Sequence, residues 1–197
     1  MHRTLLCLCA LLAVAAGAPG IELKGVAVKA GASHIASDFQ FEGAELFSVD
    51  SIVEPSASIS LRWKNSPRSR FDFVTELGYL RGGFDVAGEK VRASFLQIPL
   101  LLRSDLGGDE SSIYLVFGPS LGILVDRDPG FLDRYNDLSL AGQAGLGVFR
   151  RVNRRLSIYG EFRFSGDFTN LYSPAGDEDS LTSVRQRVLQ LSAGIEF

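Results

Sequence analysis

The sequence predicts an all-β protein: a closed, up-and-down barrel of eight antiparallel strands that spans a membrane, preceded by a secretory signal peptide. Three observations carry this. Apolar and polar residues alternate with period two through most of the chain after residue 18. Short and long connections between the alternating segments alternate as well. The first eighteen residues have the three-part form of an export signal.

The signal reads MHRTLLCLCALLAVAAGA. Arg3 supplies the positive start, Leu5 to Val14 the apolar run, and Ala16-Gly17-Ala18 the small-x-small cleavage site. The run is too short for an uncleaved anchor helix. Cys7 and Cys9 sit within it, after bulky Leu5, Leu6 and Leu8, which argues against lipidation. The domain plan is a signal over 1–18 and one barrel domain over 19–197. Both cysteines leave with the signal, so the mature chain has no disulfide, thiol or zinc-thiolate chemistry. Loss of Arg3 takes the formal net charge from −3 to about −4.

The balance of 23 acidic against 20 basic residues excludes a basic nucleic-acid footprint. Mean hydropathy of +0.13 is high for a water-soluble domain and low for a helical membrane protein. The longest mature apolar stretch, Ile98 to Leu102, is ended by Arg103, which excludes a membrane-spanning helix.

The strands follow in order. In the first, Ile21 to Ser33, Val26, Val28, Ala30 and Ala32 oppose Gly25, Ala27, Lys29 and Gly31. Ile59, Leu61 and Trp63 oppose Ser58, Ser60 and Arg62. Phe71, Phe73, Leu77 and Tyr79 oppose Asp72, Val74, Glu76 and Gly78. Leu96, Ile98, Leu100 and Leu102 oppose Phe95, Gln97, Pro99, Leu101 and Arg103. Ile113, Leu115, Phe117, Leu121, Ile123 and Val125 oppose Tyr114, Gly118, Ser120 and Gly122. Leu138, Leu140, Ala144, Leu146 and Val148 oppose Ser139, Gln143, Gly145 and Gly147. Leu156, Ile158, Gly160, Phe162 and Phe164 form one set against Ser157, Tyr159, Glu161, Arg163 and Ser165. Last, Leu189, Leu191, Ala193, Ile195 and Phe197 oppose Val188, Gln190, Ser192, Gly194 and Glu196. Strands of this length suit a tilted membrane crossing. The polar face is rich in Gly and Ser rather than Lys, Glu and Thr, which suits a narrow lumen better than a wetted surface. The apolar face is therefore expected to point outward.

An even strand number places both termini on one side, expected to be the periplasm. The turns there are Lys64 to Ser69, Ser104 to Ser111 and Arg150 to Arg155. The opposite loops are Ile35 to Asp50, Gly82 to Lys90, Asp126 to Asp137 and Thr169 to Ser183. The terminal Phe197, on the apolar face, has the form of a C-terminal strand recognised by the barrel assembly machinery. Pro99 and Pro119 lack a ladder donor, so a bulge or an unpaired carbonyl is expected beside each.

FLQIPLLLR (Phe95 to Arg103) followed by YLVFGPSLGILV (Tyr114 to Val125) resembles the outer-membrane β-barrel domain family that includes PorT-like proteins. The resemblance covers the mature chain in layout and these two strands in motif. It implies an eight-stranded barrel in the outer membrane, and it does not transfer the secretion role of PorT.

Candidate chemistry is sparse. His34 is the only histidine of the mature chain. Ser33-His34 has the wrong order and spacing for a His-x-Ser pair, and Asp38 falls in an expected loop, so no catalytic role is assigned. No metal site or cofactor is expected; Asp177-Glu178-Asp179 lacks the spacing of a calcium loop. The informative set is the expected lumen: Lys29, Arg62, Glu76, Gln97, Arg103, Gln143, Glu161, Arg163, Gln190 and Glu196. In an eight-stranded barrel these mixed charges fill the interior. Trp63, Phe71 and Phe197 at one end, and Tyr79 and Phe168 at the other, are expected to form two interface girdles. Acidic residues such as Asp38, Glu42, Asp126 and Asp137 concentrate in the loops, and Lys64, Arg68, Arg150, Arg151, Arg154 and Arg155 in the turns.

The expected function is a non-enzymatic integral protein of a Gram-negative-type outer membrane, structural or recognising a partner through its loops. Its expected partners are membrane lipids and an extracellular or periplasmic molecule, with no nucleic acid. The alternatives are a small ion or solute channel and a soluble, lipocalin-like periplasmic binding barrel.

Overall fold

The computed structural model describes residues 21–41, 47–49, 53–64, 69–86, 89–108, 110–127, 136–171 and 181–197. The signal over 1–18 and loop residues such as Glu42, Glu45, Asp128, Asp133, Asp177, Glu178 and Asp179 lie outside them, as does Arg68. The described residues form nine strands: β1 (Glu22–Phe41), β2 (Phe47–Val49), β3 (Val53–Lys64), β4 (Asp72–Val86), β5 (Glu89–Gly107), β6 (Ser111–Arg127), β7 (Leu138–Arg151), β8 (Ser157–Asp167) and β9 (Leu181–Glu196).

All pairings are antiparallel, in chain order, and β9 closes back on β1. Eight strands make the barrel. The short β2 pairs with β1 beyond the end of β3, one residue out of register with it. It is therefore a broken-off extension of β3, not a ninth stave. Closure is complete to the chain end, where Val26 and Phe197 exchange both backbone hydrogen bonds, at 3.1 and 2.9 Å. With β9 paired to β1, the eight staves form a closed ring.

Period two sets the two faces. Val28, Ile59, Leu77, Leu115, Phe117, Leu146, Phe162, Phe164, Leu189 and Ile195 are all at least 40% exposed and point outward. Lys29, Ser58, Ser60, Glu76, Gln143, Glu161, Arg163 and Ser192 are buried inside. A soluble binding barrel has the opposite polarity, so the lipocalin-like alternative does not fit this fold.

Several boundaries differ from the sequence expectation. Residues 35–41 continue β1 rather than starting a loop, because their backbone pairs with β9 as far as Phe41↔Leu181. Residues 82–86 and 89–90 belong to strands rather than to a loop: β4 and β5 run on to Val86↔Glu89. At the opposite end β5 and β7 extend to Gly107 and Arg151, shortening the turns to 108–110 and 152–156. Each strand grows until the antiparallel ladder, not side-chain alternation, runs out.

Neither proline produces a bulge. The β4–β5 pairing passes from Thr75↔Leu100 to Gly78↔Gln97, skipping the partner positions of Pro99 without a change of register. The β5–β6 pairing likewise passes from Pro99↔Ser120 to Leu102↔Phe117, skipping Pro119 and Gly118. Each proline keeps its partner on the other side, Ser120 and Gly142 respectively. Each ring therefore removes pairing only on the side its missing N–H would face. Gly118 fits here because a Cβ would overlap the Leu100 carbonyl oxygen. The register shift in the β5–β6 ladder lies instead opposite Ser94/Phe95, where Val125 is the extra residue on β6.

If the outward row faces lipid, Leu146→Arg, near the middle of β7, costs about 2–4 kcal/mol in urea unfolding from phosphatidylcholine vesicles. A cost within about 0.5 kcal/mol, as for an ordinary wetted surface, contradicts the assignment.

Candidate functional site in the barrel lumen

Four charged side chains meet across the middle of the lumen. Lys29 comes from β1, Glu76 from β4, and Glu161 and Arg163 from β8. Lys29 Nζ lies 2.6 Å from Glu76 Oε2 and 3.1 Å from Glu161 Oε1. Arg163 Nη2 lies 2.8 Å from Glu76 Oε2 and 2.7 Å from Glu161 Oε1. Each cation thus touches both carboxylates, and the set is formally neutral. All four side chains are at most 6% exposed.

Neighbouring strands complete the cluster. Arg163 Nη1 donates to Glu76 Oε1 at 3.2 Å and to Gln143 Oε1 of β7 at 3.4 Å. Gln143 Nε2 reaches Gln97 Oε1 of β5 at 3.5 Å. Tyr114 Oη of β6 donates to Glu161 Oε2 at 3.0 Å. Six of the eight staves are therefore tied to one polar centre. Gln190 lies apart from it, donating to Ser56 Oγ at 3.0 Å between β9 and β3.

A second cluster lies nearer the turn end. Arg62 Nη2 is 2.6 Å from Glu196 Oε1, and Arg103 Nη1 is 3.6 Å from Glu196 Oε2. Arg103 Nε also donates to Asp105 Oδ1 at 2.9 Å. Asp105 and Asp72 stand 3.6 and 3.9 Å from Arg62 Nη1. The Arg103 guanidinium lies over the Tyr114 ring, 3.9 Å from its centroid, and so joins the two clusters.

The ten lumen residues read from the sequence thus divide into a central set (Lys29, Glu76, Gln97, Gln143, Glu161, Arg163), a turn-end set (Arg62, Arg103, Glu196) and Gln190. Tyr114, Tyr159, Asp72 and Asp105 were not among them. The two tyrosines and Asp72 are legible on the polar face, and Asp105 is hidden by an expected turn that begins at Ser104. Toward the loop end, buried Ile35, Leu80 and Val188 pack together inside the barrel. This apolar layer also escaped alternation, which reports only the face a residue lies on.

Glycines make the space. Gly147, Gly145 and Gly194 pair directly across from Tyr114, Arg163 and Tyr159. A Cβ on Gly147 would overlap the Tyr114 ring; on Gly145 it would come within 2.7 Å of Arg163 Cγ, and on Gly194 within 2.7 Å of Tyr159 Oη. Each large lumen side chain thus lies over a residue that has none.

The aromatics are placed as follows. Phe71, Tyr79, Phe168 and Phe197 are 44%, 45%, 71% and 61% exposed. Phe71 packs edge-on to Phe117 with centroids 6.3 Å apart. Trp63 departs from its expected girdle role. It is only 8% exposed, with Nε1 donating to Thr75 Oγ1 at 3.1 Å. His34 is exposed, and Asp38 Oδ1 is held by Arg187 Nη2 at 2.6 Å. Among the described residues no group of three or more His, Cys, Asp or Glu side chains is arranged to hold a metal ion.

Solved structures with this architecture are membrane barrels. The chain is similar to Neisserial surface protein A, with a TM-score of 0.54 and 19% identity over 89% of this chain and 97% of that one. Against the outer membrane protein OprG from Pseudomonas aeruginosa the TM-score is 0.53, with 15% identity over 88% and 95%. Against the outer membrane protein AlkL in DMPC lipid bilayers it is 0.50, with 15% identity over 91% and 93%. The fold is that of the outer-membrane β-barrels. No family model and no curated protein matches the chain.

Removing one carboxylate leaves two buried cations sharing the other, with a net positive charge. Glu76→Gln is expected to cost about 3–5 kcal/mol in urea unfolding. Gly147→Ala should cost about 1–3 kcal/mol by overpacking. In a Tyr114→Ala background that cost should shrink to near zero, because the colliding ring is gone. An undiminished cost in the double variant rejects the packing explanation.

Proposed function

We propose that the chain is an integral outer-membrane barrel with a sealed interior, non-enzymatic, and acting as a structural element or as a scaffold for recognition by its loops. The observation that carries this reading is the neutral four-charge cluster at mid-barrel. In an eight-stranded barrel the interior is only wide enough for side chains. Here opposing strands are bridged through its centre, and the Ile35–Leu80–Val188 layer lies above it. A continuous water path would have to break ion pairs at both clusters.

The outward apolar rows support lipid contact, and the likeness to outer-membrane barrels supports the same location. In this reading the end carrying Phe197 faces the periplasm, where the terminal strand would meet the barrel assembly machinery. The PorT-like resemblance rests on Phe95 to Arg103 and Tyr114 to Val125. His34 and Asp38 take no catalytic role in it: Asp38 is engaged by Arg187.

Full-length protein expressed in a Gram-negative host should fractionate with the outer membrane and migrate faster on gels unheated than boiled. Recovery in the soluble periplasmic fraction overturns the membrane reading. Reconstituted into planar bilayers, the barrel should give no discrete conductance steps. Steps that persist in repeated preparations overturn the sealed-interior reading and favour a small channel.

A further inference from the structure

The turn end carries a charge pattern that neither cluster absorbs. Arg150, Arg151, Arg154 and Arg155 are all exposed, and none forms an ion pair among the described residues. This contrasts with the lumen, where Lys29, Arg62, Arg103 and Arg163 are all paired. Glu110 is the one acidic side chain lining the cleft of about 570 Å³ that Arg150, Arg151 and Arg154 help to form.

We propose that this turn binds the phosphate headgroups of anionic phospholipids in the leaflet at the turn end. The inference rests on the membrane reading above. Position is the first argument. Arg150 lies on the outward row of β7, two residues beyond exposed Val148, and pairs across with outward Ile158. At about 3.4 Å per residue and a strand tilt of about 40°, it stands about 5 Å past the last apolar residue of its row along the membrane normal. A headgroup layer is about 5–7 Å thick on each side of the hydrocarbon. The guanidinium is therefore at phosphate level, where it can bind two phosphate oxygens at once.

Preorganisation is the second. The backbone N–H groups of Val152 and Asn153 both donate to the Leu156 carbonyl, at 2.9 and 3.1 Å. Asn153 Oδ1 accepts from Arg155 N at 2.8 Å, and Arg151 N donates to the Glu110 carbonyl at 2.8 Å. The turn holds its four cations in place without using their charges. Val152, 56% exposed between them, offers an apolar contact at the same depth. The lipid source is favoured over a soluble polyanion because the patch continues the lipid-facing rows of β7 and β8.

The test reconstitutes the mature barrel in phosphatidylcholine vesicles holding trace spin-labelled phosphatidylglycerol or spin-labelled phosphatidylcholine. The fraction of each motionally restricted by the protein is then read by electron paramagnetic resonance. Wild type should select phosphatidylglycerol at least threefold at low salt. Arg150→Gln/Arg151→Gln/Arg154→Gln/Arg155→Gln should abolish the preference, whereas Arg185→Gln/Arg187→Gln at the loop end should keep it. Should the fourfold variant fail to insert, loss of the wild-type preference in 1 M salt serves in its place. Equal partition in wild type, or a preference surviving in the inserted fourfold variant, overturns the proposal. Inorganic polyphosphate binding without any lipid preference assigns the patch to a soluble polyanion and also overturns it. A chain that never gives the heat-modifiable band in vesicles fails the membrane reading, whereas an inserted but unselective barrel fails this inference alone.

Discussion

The constraint from which the rest of the structure follows is the width of an eight-stranded lumen. It is too narrow to hydrate ionised side chains and too closed to let them reach solvent. Charges placed there must satisfy one another. Lys29, Glu76, Glu161 and Arg163 do so with two contacts each and no net charge. The glycines opposite Tyr114, Arg163 and Tyr159 are a consequence, because a wide side chain from one stave needs its neighbour to give up volume. Glycine, usually unfavourable inside strands, is here a packing residue.

The arrangement also explains an unusual division of labour. In a soluble domain the apolar core drives folding and polar groups cover it. Here the apolar side chains face outward and contribute only when lipid surrounds them, while the interior is held by directed bonds. Backbone pairing closes the ring of eight staves, and the two charge clusters cross-link staves far apart in sequence, such as β1 with β8 and β4 with β8. In the proposed function, walls braced by a filled centre leave the loops and turns as the places where partners are recognised.

Much of this was legible in the sequence because period two is strong and β-barrels expose it on every strand. Residues 156–165 alternate so regularly that the sequence alone places Glu161 and Arg163 inside. Which charge meets which partner was not legible, since Lys29 and Glu76 are brought together by stagger and tilt, not by spacing. Strand ends were misplaced where the ladder outlasts the pattern, as at Ile35 to Phe41 and at Asp105. A missing donor leaves two outcomes open at each proline, a bulge or an unpaired carbonyl; the fold shows a short gap in pairing and keeps its register. Trp63 was read as an interface anchor from its position alone, without the Thr75 hydroxyl that holds its indole N–H.

The central claim is that the mid-lumen charges exist as a dry, mutually paired set. Solid-state NMR of the ¹³C,¹⁵N-labelled barrel in lipid bilayers tests it most directly, through correlations between side-chain nitrogens and carboxyl carbons. The account predicts cross-peaks from Arg163 guanidinium nitrogens to the carboxyl carbons of both Glu76 and Glu161, with Lys29 Nζ correlated to the same two carbons and shielded from water. Arg163 and Lys29 signals that correlate with bulk water and with neither carboxylate would contradict it.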